Sequence, residues 1–297
     1  MSAAPTTRGA GSTTGRALRL PKAPKAVLAA SVTLASLVLL ASLANLVRPL
    51  DANAVNLAAV LEPPSAAHPM GTDENGRDLL ARVIHGLRVS FAVAAVASLA
   101  AVSIGGIVGI LAGSVGGWVD GALMRVVDLF ASQNHLLFGV LLAVLFRPVL
   151  GGAGAVMLAV GLTHWPTLAR LVRGELLSLR ERPFVAAAVG GGAGRARLAG
   201  RHFVPHLLPT IALGFVLTFP HAIFHESALS FLGIGLSPDQ ASLGNIIADG
   251  QRSLLAGGWW VSLFPGTLIV LVTLCVGTVG EYLRDLWQPR WRSELEL

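Results

Sequence analysis

The sequence predicts an all-α polytopic membrane protein with about six transmembrane helices and both termini in the cytoplasm. Three observations carry that reading. Apolar residues make up 54% of the 297-residue chain and charged residues 13%, with a mean hydropathy of +0.69, too apolar for a soluble domain of this size. The apolar residues fall in runs long enough, at about 1.5 Å per residue, to cross roughly 30 Å of hydrocarbon. Of the 22 Lys and Arg, 16 fall on one side of the resulting map, the asymmetry expected of a cytoplasmic face.

A net charge of +6 would suit nucleic acid in a soluble protein, but here the basic residues flank apolar runs as topology alone requires, so no nucleic-acid partner is expected. The single cysteine, Cys275, lies inside an apolar run, which excludes a disulfide framework and a thiolate metal site.

Residues 1–25, rich in Ser, Thr, Gly and Ala with Arg8, Arg16, Arg19, Lys22 and Lys25, lack the apolar content of a core and read as a disordered cytoplasmic tail. Residues 26–47 carry no charge and form the first transmembrane helix, its start held in the cytoplasm by those five cations. As a signal peptide the run would be too long, and no convincing cleavage site follows. Residues 48–88 read as an extracytoplasmic loop with Pro63-Pro64, His68-Pro69 and the string GTDENGRDLL from Gly71, then an interfacial helix over Leu79–Leu87. Asp73, Glu74, Asn75 and Asp78 lack the alternating spacing and terminal glutamate of a calcium loop.

Residues 89–282 form the transmembrane core. The second span, Val89 to Ala112, has Gly105, Gly106 and Gly109, which let helices approach closely in lipid. After a tight turn at Gly116–Asp120 the third span runs from Gly121 to Phe146 with Asp128, Gln133, Asn134 and His135. Polar groups at membrane depth face protein or water, so this span lines an interior. No proline stands near Gln133, and a straight helix is expected there. The fourth span, Ala155 to Leu171, delivers the chain to a cytoplasmic loop, residues 172–206. The fifth runs from Leu207 to His225, interrupted by Pro220. Residues 227–258 are too broken by glycine and polar residues to cross, and suit a re-entrant or externally packed segment. Trp259 to Gly280 is the sixth span, and residues 283–297 are a cytoplasmic tail.

No glycine loop followed by Lys-Ser/Thr is present, since the Gly190–Gly194 run lacks the lysine, so the chain itself is not expected to bind ATP or any other cofactor. His225-Glu226 is followed at the second histidine position of a zinc protease motif by Leu229, and no enzyme is expected. His221 and His225, four residues apart, share a helix face, with Glu226 next to it. That set could hold a metal or a cationic substrate, or could hydrogen-bond neighbouring helices or the Asp239–Asp249 segment. With Asp128, Asn134 and His135 these residues are the candidates for a translocation path or gate.

Between two apolar segments lies a polar, arginine-bearing island, ERPFVAAAVGGGAGRARLAGRHFVPHLLP, from Glu181 to Pro209. A short helix is expected over Phe184–Val189, ended by Gly192, with Arg195, Arg197 and Arg201 in the basic second half. The island resembles the cytoplasmic coupling loop of ATP-binding-cassette (ABC) importer permeases, which begins Glu-Ala-Ala, has a glycine four residues after the second alanine and closes on prolines. Ala187 and Ala188 match the alanines, Gly192 the glycine, and Arg201, His202, Pro205, Leu208 and Pro209 the closing segment. Ala186 stands where the family has glutamate. Four further strings resemble the peptide and nickel branch: His68–Asp73 with Gly76-Arg77-Asp78; Ser227–Gly233 with Gly244-Asn245; Trp259-Trp260 with Phe264-Pro265-Gly266; and Gly280-Glu281 with Leu283-Arg284-Asp285 and Pro289-Arg290. Together they cover about residues 66–292 in the family's order.

The resemblance implies the permease subunit of an importer for di- or oligopeptides in a bacterial-type inner membrane. It implies a second permease as heterodimer partner, two ATP-binding subunits on the cytoplasmic face, which carry ATP and Mg, and an extracytoplasmic substrate-binding protein. Arg182, Phe184, Ala186, Ala187, Ala188, Gly192, Arg201, Pro205 and Pro209 would form the ATPase-coupling loop. Nickel or a nickel chelate is the alternative cargo. A stand-alone ion-coupled carrier is the alternative of another class, though no inverted repeat is visible.

Overall fold

A computed structural model describes residues 24–47 and 51–287. Most of the expected N-terminal tail, Arg48 and the Pro289-Arg290 string lie outside the described residues. In order the helices are α1 (Lys25–Ser42), α2 (Ala44–Val47), α3 (Leu79–Val115), α4 (Gly117–Ala131), α5 (His135–Arg180), α6 (Pro183–Gly190), α7 (Arg195–Arg197), α8 (Val204–Phe231), α9 (Leu243–Leu255) and α10 (Trp260–Trp287). A stretch of wider π-type turns, Leu198–Phe203, joins α7 to α8. Extended pairing among the described residues is confined to one bridge between Thr72 and Asp78.

Five helices, α1, α3, α5, the Leu198–Phe231 run containing α8, and α10, are long and apolar enough to cross a membrane. α5 crosses twice. A straight helix would hold His135 and His164 about 43 Å apart, yet their rings lie 6.0 Å apart. The reversal is at Gly151, where φ 69° and ψ 176° interrupt the helix in a region that side chains with a Cβ avoid. The pairing continues past the start of α5. Phe130 packs edge-on to Trp165 at 5.4 Å, Arg170 bonds Asp128 at 2.9 Å, and both carboxylate oxygens of Asp120 accept from Arg173 at 2.5 and 2.6 Å. α4 and the first arm of α5 are therefore one crossing, antiparallel to the second arm, and the bundle has six crossings.

That third crossing is not the straight helix expected. It breaks at Ser132–Asn134 without a proline, because Asn134 caps the new helix by accepting from the backbone N–H groups of Leu136 and Leu137. The interfacial helix and the second span are likewise one 37-residue helix, α3, capped by Asp78, which accepts from Ala81 N at 2.8 Å; nothing near Arg88 stops it. The second arm of α5 continues to Arg180, so the start of the expected 172–206 loop is helical. α8 runs on past His225 to Phe231, and α10 past Glu281 to Trp287, since neither stretch contains a breaker. α9, at 13 residues and about 20 Å, is too short to cross, as expected for the 227–258 segment.

Close approach holds the centre together. A Cβ on Gly105 would meet the carbonyl oxygen of Trp165 at 2.7 Å, and one on Gly109 that of Ala169 at 2.7 Å, so α3 lies almost backbone to backbone on the second arm of α5. The largest apolar core gathers side chains from α3, α5, α8, α9 and α10, while α1 lies at the edge with most of its surface exposed. At the α9 end the GTDENGRDLL string is locked by charge. Asp73 and Arg82 are fully buried; Asp73 accepts from Arg77 Nε at 2.7 Å and Arg82 at 2.6 Å, and Asp249 of α9 accepts from both arginines at 3.0 and 2.9 Å. Asp73 thus faces two guanidiniums, an arrangement unlike a calcium loop.

Candidate functional site

Two regions gather the candidate residues. The first is the end of the bundle that carries α6. Pro183 at the first helical position presets the backbone, and alanines fill the centre. The helix closes on Gly191 and Gly192: Ala193 N bonds Ala188 O at 3.0 Å and Gly192 N bonds Val189 O at 2.9 Å, with Gly192 at φ +80°. Val185 is the inward anchor, buried with Leu176 and Leu179 of α5 and with Leu198, Phe203 and Leu207. Burying such a side chain stabilises the seat by about 1.5–3 kcal/mol.

The opposite face of α6 is open. Phe184, Ala186 and Ala187 are exposed, as is Val189 one turn on from Val185; Ala188 is half-buried, and Arg182 precedes the helix with its carbonyl accepting from Val185 N. The Phe184 ring stacks on His206, with centroids 5.2 Å apart and planes 17° apart. Arg201 is exposed, Pro205 stands at the start of α8, and Pro209 lies within it. Arg180 binds the end of α3, donating to Gly113 O at 2.9 Å, so α6 is connected to the crossings on both sides.

The second region is a groove of about 410 Å³ between α4–α5 and α8, lined by His135, His164, His221, Thr163, Thr167 and Thr218 among others. Four imidazoles gather here. His164 lies 4.7 Å from His225 and 6.2 Å from His221, and His135 lies 5.0 Å from His225, measured between ring centroids. The hairpin at Gly151 brings His135 to His164, and the i, i+4 spacing on α8 places His221 and His225 opposite them. His164 was not among the sequence candidates. It is the one histidine in the second arm of α5, so no periodicity marks it.

The structure separates the other candidates from this cluster. Glu226 is fully buried and turned towards α3, where it accepts from Ser90 at 2.8 Å and from Ser230 at 3.0 Å; Ser90 in turn accepts from Leu243 N at 3.2 Å. One residue on from His225 is about 100° round the helix, so the carboxylate leaves the histidine face and pins α8 to α3 and α9. Asp128 is exposed and paired with Arg170. Asn134 is an exposed helix cap.

Comparison with known proteins places these features in context. Residues 105–293 match the family described as binding-protein-dependent transport system inner membrane component. The chain is 38% identical over 230 residues to the dipeptide transport system permease protein DppC of Bacillus subtilis (strain 168), covering 77% of this chain and 71% of that protein. It is 37% identical over 243 residues to a protein named as a peptide permease in Brucella suis biovar 1, covering 82% of this chain and 80% of that one. Among solved structures, an inward-facing MetNI methionine ABC transporter chain aligns with a TM-score of 0.54 at 20% identity, over 71% of this chain and 98% of that chain, a likeness of fold.

Proposed function

The chain belongs to the family of binding-protein-dependent transport system inner membrane components, and from that premise we propose that it is the permease subunit of an ATP-driven importer that moves di- and oligopeptides across a bacterial inner membrane. As a family member it is a multi-pass transporter subunit and not an enzyme, and ATP hydrolysis belongs to partner ATPases.

α6 is the observation that carries the reading. An importer transmits closure of its ATPases into the membrane as a rigid-body movement, which needs a small docked element firmly tied to the spans. α6 has that form: exposed side chains at Phe184, Ala186 and Ala187, and an inward anchor at Val185. On this reading the α6 end faces the cytoplasm and two ATP-binding subunits, and the α9 end faces an extracytoplasmic binding protein. Because Ala186 replaces the family's glutamate, docking rests on apolar packing at Phe184 more than on a charge pair. A second permease covers the histidine groove, whose His135 and His221 are exposed on the isolated chain, and the groove becomes part of the translocation path.

The peptide cargo is supported by the names of the Bacillus and Brucella relatives. The names of these relatives give no comparable support for nickel. Purification in mild detergent should bring down an ATPase and a second permease, and the assembled importer should take up labelled dipeptide and not nickel. Recovery of the chain alone as an active carrier would overturn the reading.

A further inference from the structure

We propose that the histidine groove is a binding site for the protonated amine of the cargo, with neutral imidazoles of His164, His221 and His135 as the acceptors. The proposal rests on the reading of the groove as the translocation path. It starts from the ring nitrogens. His164 Nδ1 lies 3.1 Å from the carbonyl oxygen of Val160, and His221 Nδ1 lies 3.0 Å from that of Leu217, each four residues back along its own helix; His225 Nδ1 is 2.8 Å from His221 O in the same way. A carbonyl oxygen carries no proton, so a bond to it puts the hydrogen on Nδ1; at His164 the Thr163 hydroxyl, 2.9 Å from Nδ1, fits the same assignment because it can spend its own hydrogen on Val160 O at 3.1 Å and accept from the ring. In a neutral imidazole that leaves Nε2 as a lone-pair acceptor. None of these Nε2 atoms has a hydrogen-bond partner among the described residues, and His135 spends neither ring nitrogen in a hydrogen bond there.

Three of the rings, those of His135, His164 and His221, line the cavity, and His225 packs behind them. An ammonium group brings three N–H donors and no acceptor, whereas a carboxylate brings acceptors alone, so a set of neutral imidazole lone pairs favours the amine end of a peptide over its carboxyl end. The hydroxyls of Thr163, Thr167 and Thr218 border the same space and can accept as well. Arg170, the one cation on its lining, is half-exposed and neutralised by Asp128 at 2.9 Å. No carboxylate lines the groove. Attraction without a full countercharge suits a passage, which must orient its cargo and then release it.

The test is a titration of the full-length chain in lipid nanodiscs, with 15N-labelled histidine, at a pH where the imidazoles are neutral. Methylammonium should shift the Nε2 resonances of His164 and His221, assigned with His164→Phe and His221→Phe, whereas tetramethylammonium, equally charged but without N–H donors, should leave them unmoved. No shift of any histidine Nε2 resonance with methylammonium, or equal shifts with both ions, overturns the proposal, and both outcomes are read on the wild-type chain without assignment. In the assembled importer, His164→Phe should lower uptake of labelled alanyl-alanine about tenfold while binding-protein-stimulated ATP hydrolysis continues, the pattern of a lost contact with cargo. His221→Phe repeats that arm should the first variant misfold, and full uptake by either folded variant also overturns the proposal. Failure of the wild-type importer to take up alanyl-alanine would instead overturn the peptide reading itself, with the methylammonium titration still deciding whether the amine site exists.

Discussion

Asp73 shows how much a single side chain decides at the α9 end. Two arginines depend on it, and Arg82 is fully buried. Removing one partner of a buried ion pair costs about 3–5 kcal/mol when the other charge is left without compensation, and here Asp249 would remain as the shared acceptor of both guanidiniums, so the cost should fall below that range. We expect Asp73→Ala to lower the thermal unfolding temperature in detergent markedly, and Asp73→Ala combined with Arg82→Met to be less harmful than Asp73→Ala alone; tryptophan fluorescence melts would decide, and equal stability of Asp73→Ala and wild type would refute the expectation. At this scale the sequence was only half legible. Asp73 and Arg77 sit in one recognisable string, but their partner Asp249 lies 172 residues beyond Arg77, where no local pattern points to it. Of the two roles open to Glu226, the structure shows the bond to a neighbouring helix: His225 is on the histidine face, and one residue of helical rotation carries the carboxylate to Ser90.

Among the elements, two glycines make sharp expectations. Gly151 turns α5 back on itself with φ 69° and ψ 176°, a conformation costing a residue with a side chain of order 1–3 kcal/mol, and no neighbouring atom crowds the position. Gly151→Ala should therefore reduce folded yield through backbone strain alone, read by size-exclusion profile in detergent, whereas Gly139→Ala, at a helical glycine with equally open surroundings, should not. Gly192, at φ +80° and likewise in open space, ends α6. Gly192→Val and Phe184→Ala should each leave the protein inserted but reduce transport and substrate-stimulated ATP hydrolysis in the assembled importer, while Ala186→Glu is tolerated; full transport by Gly192→Val would remove the hinge role. Helix existence was readable from apolar runs, and the end of α6 from its glycines. The break at Ser132–Asn134 was not, because it arises from an asparagine cap where the usual proline signal is missing.

For the whole molecule the expectation is one of sidedness. Arg182 lies beside α6 and Ala66 in the loop before α3. In a Cys275→Ala background, Ala66→Cys should react with an impermeant reagent added outside intact cells and Arg182→Cys only after the membrane is opened; external labelling of Arg182→Cys would invert the map. The six-crossing architecture was legible because lipid demands long apolar runs whatever the packing. How those runs pair was not, since the Gly151 reversal and the histidine groove depend on residues that meet only in three dimensions. The charge lock at the α9 end also sets a timetable. Asp249 is made 167 residues after Arg82, a delay of roughly 8–33 s at about 5–20 residues per second of synthesis. During that interval Arg77 and Arg82 share Asp73, and each lacks the second acceptor that Asp249 supplies in the folded protein. A chain truncated just before Asp249 never gains it. Such a fragment should be cleared faster by membrane quality-control proteases than one ending just after α9, so a pulse-chase comparison of the two would show the lock acting as a check that synthesis has passed that point.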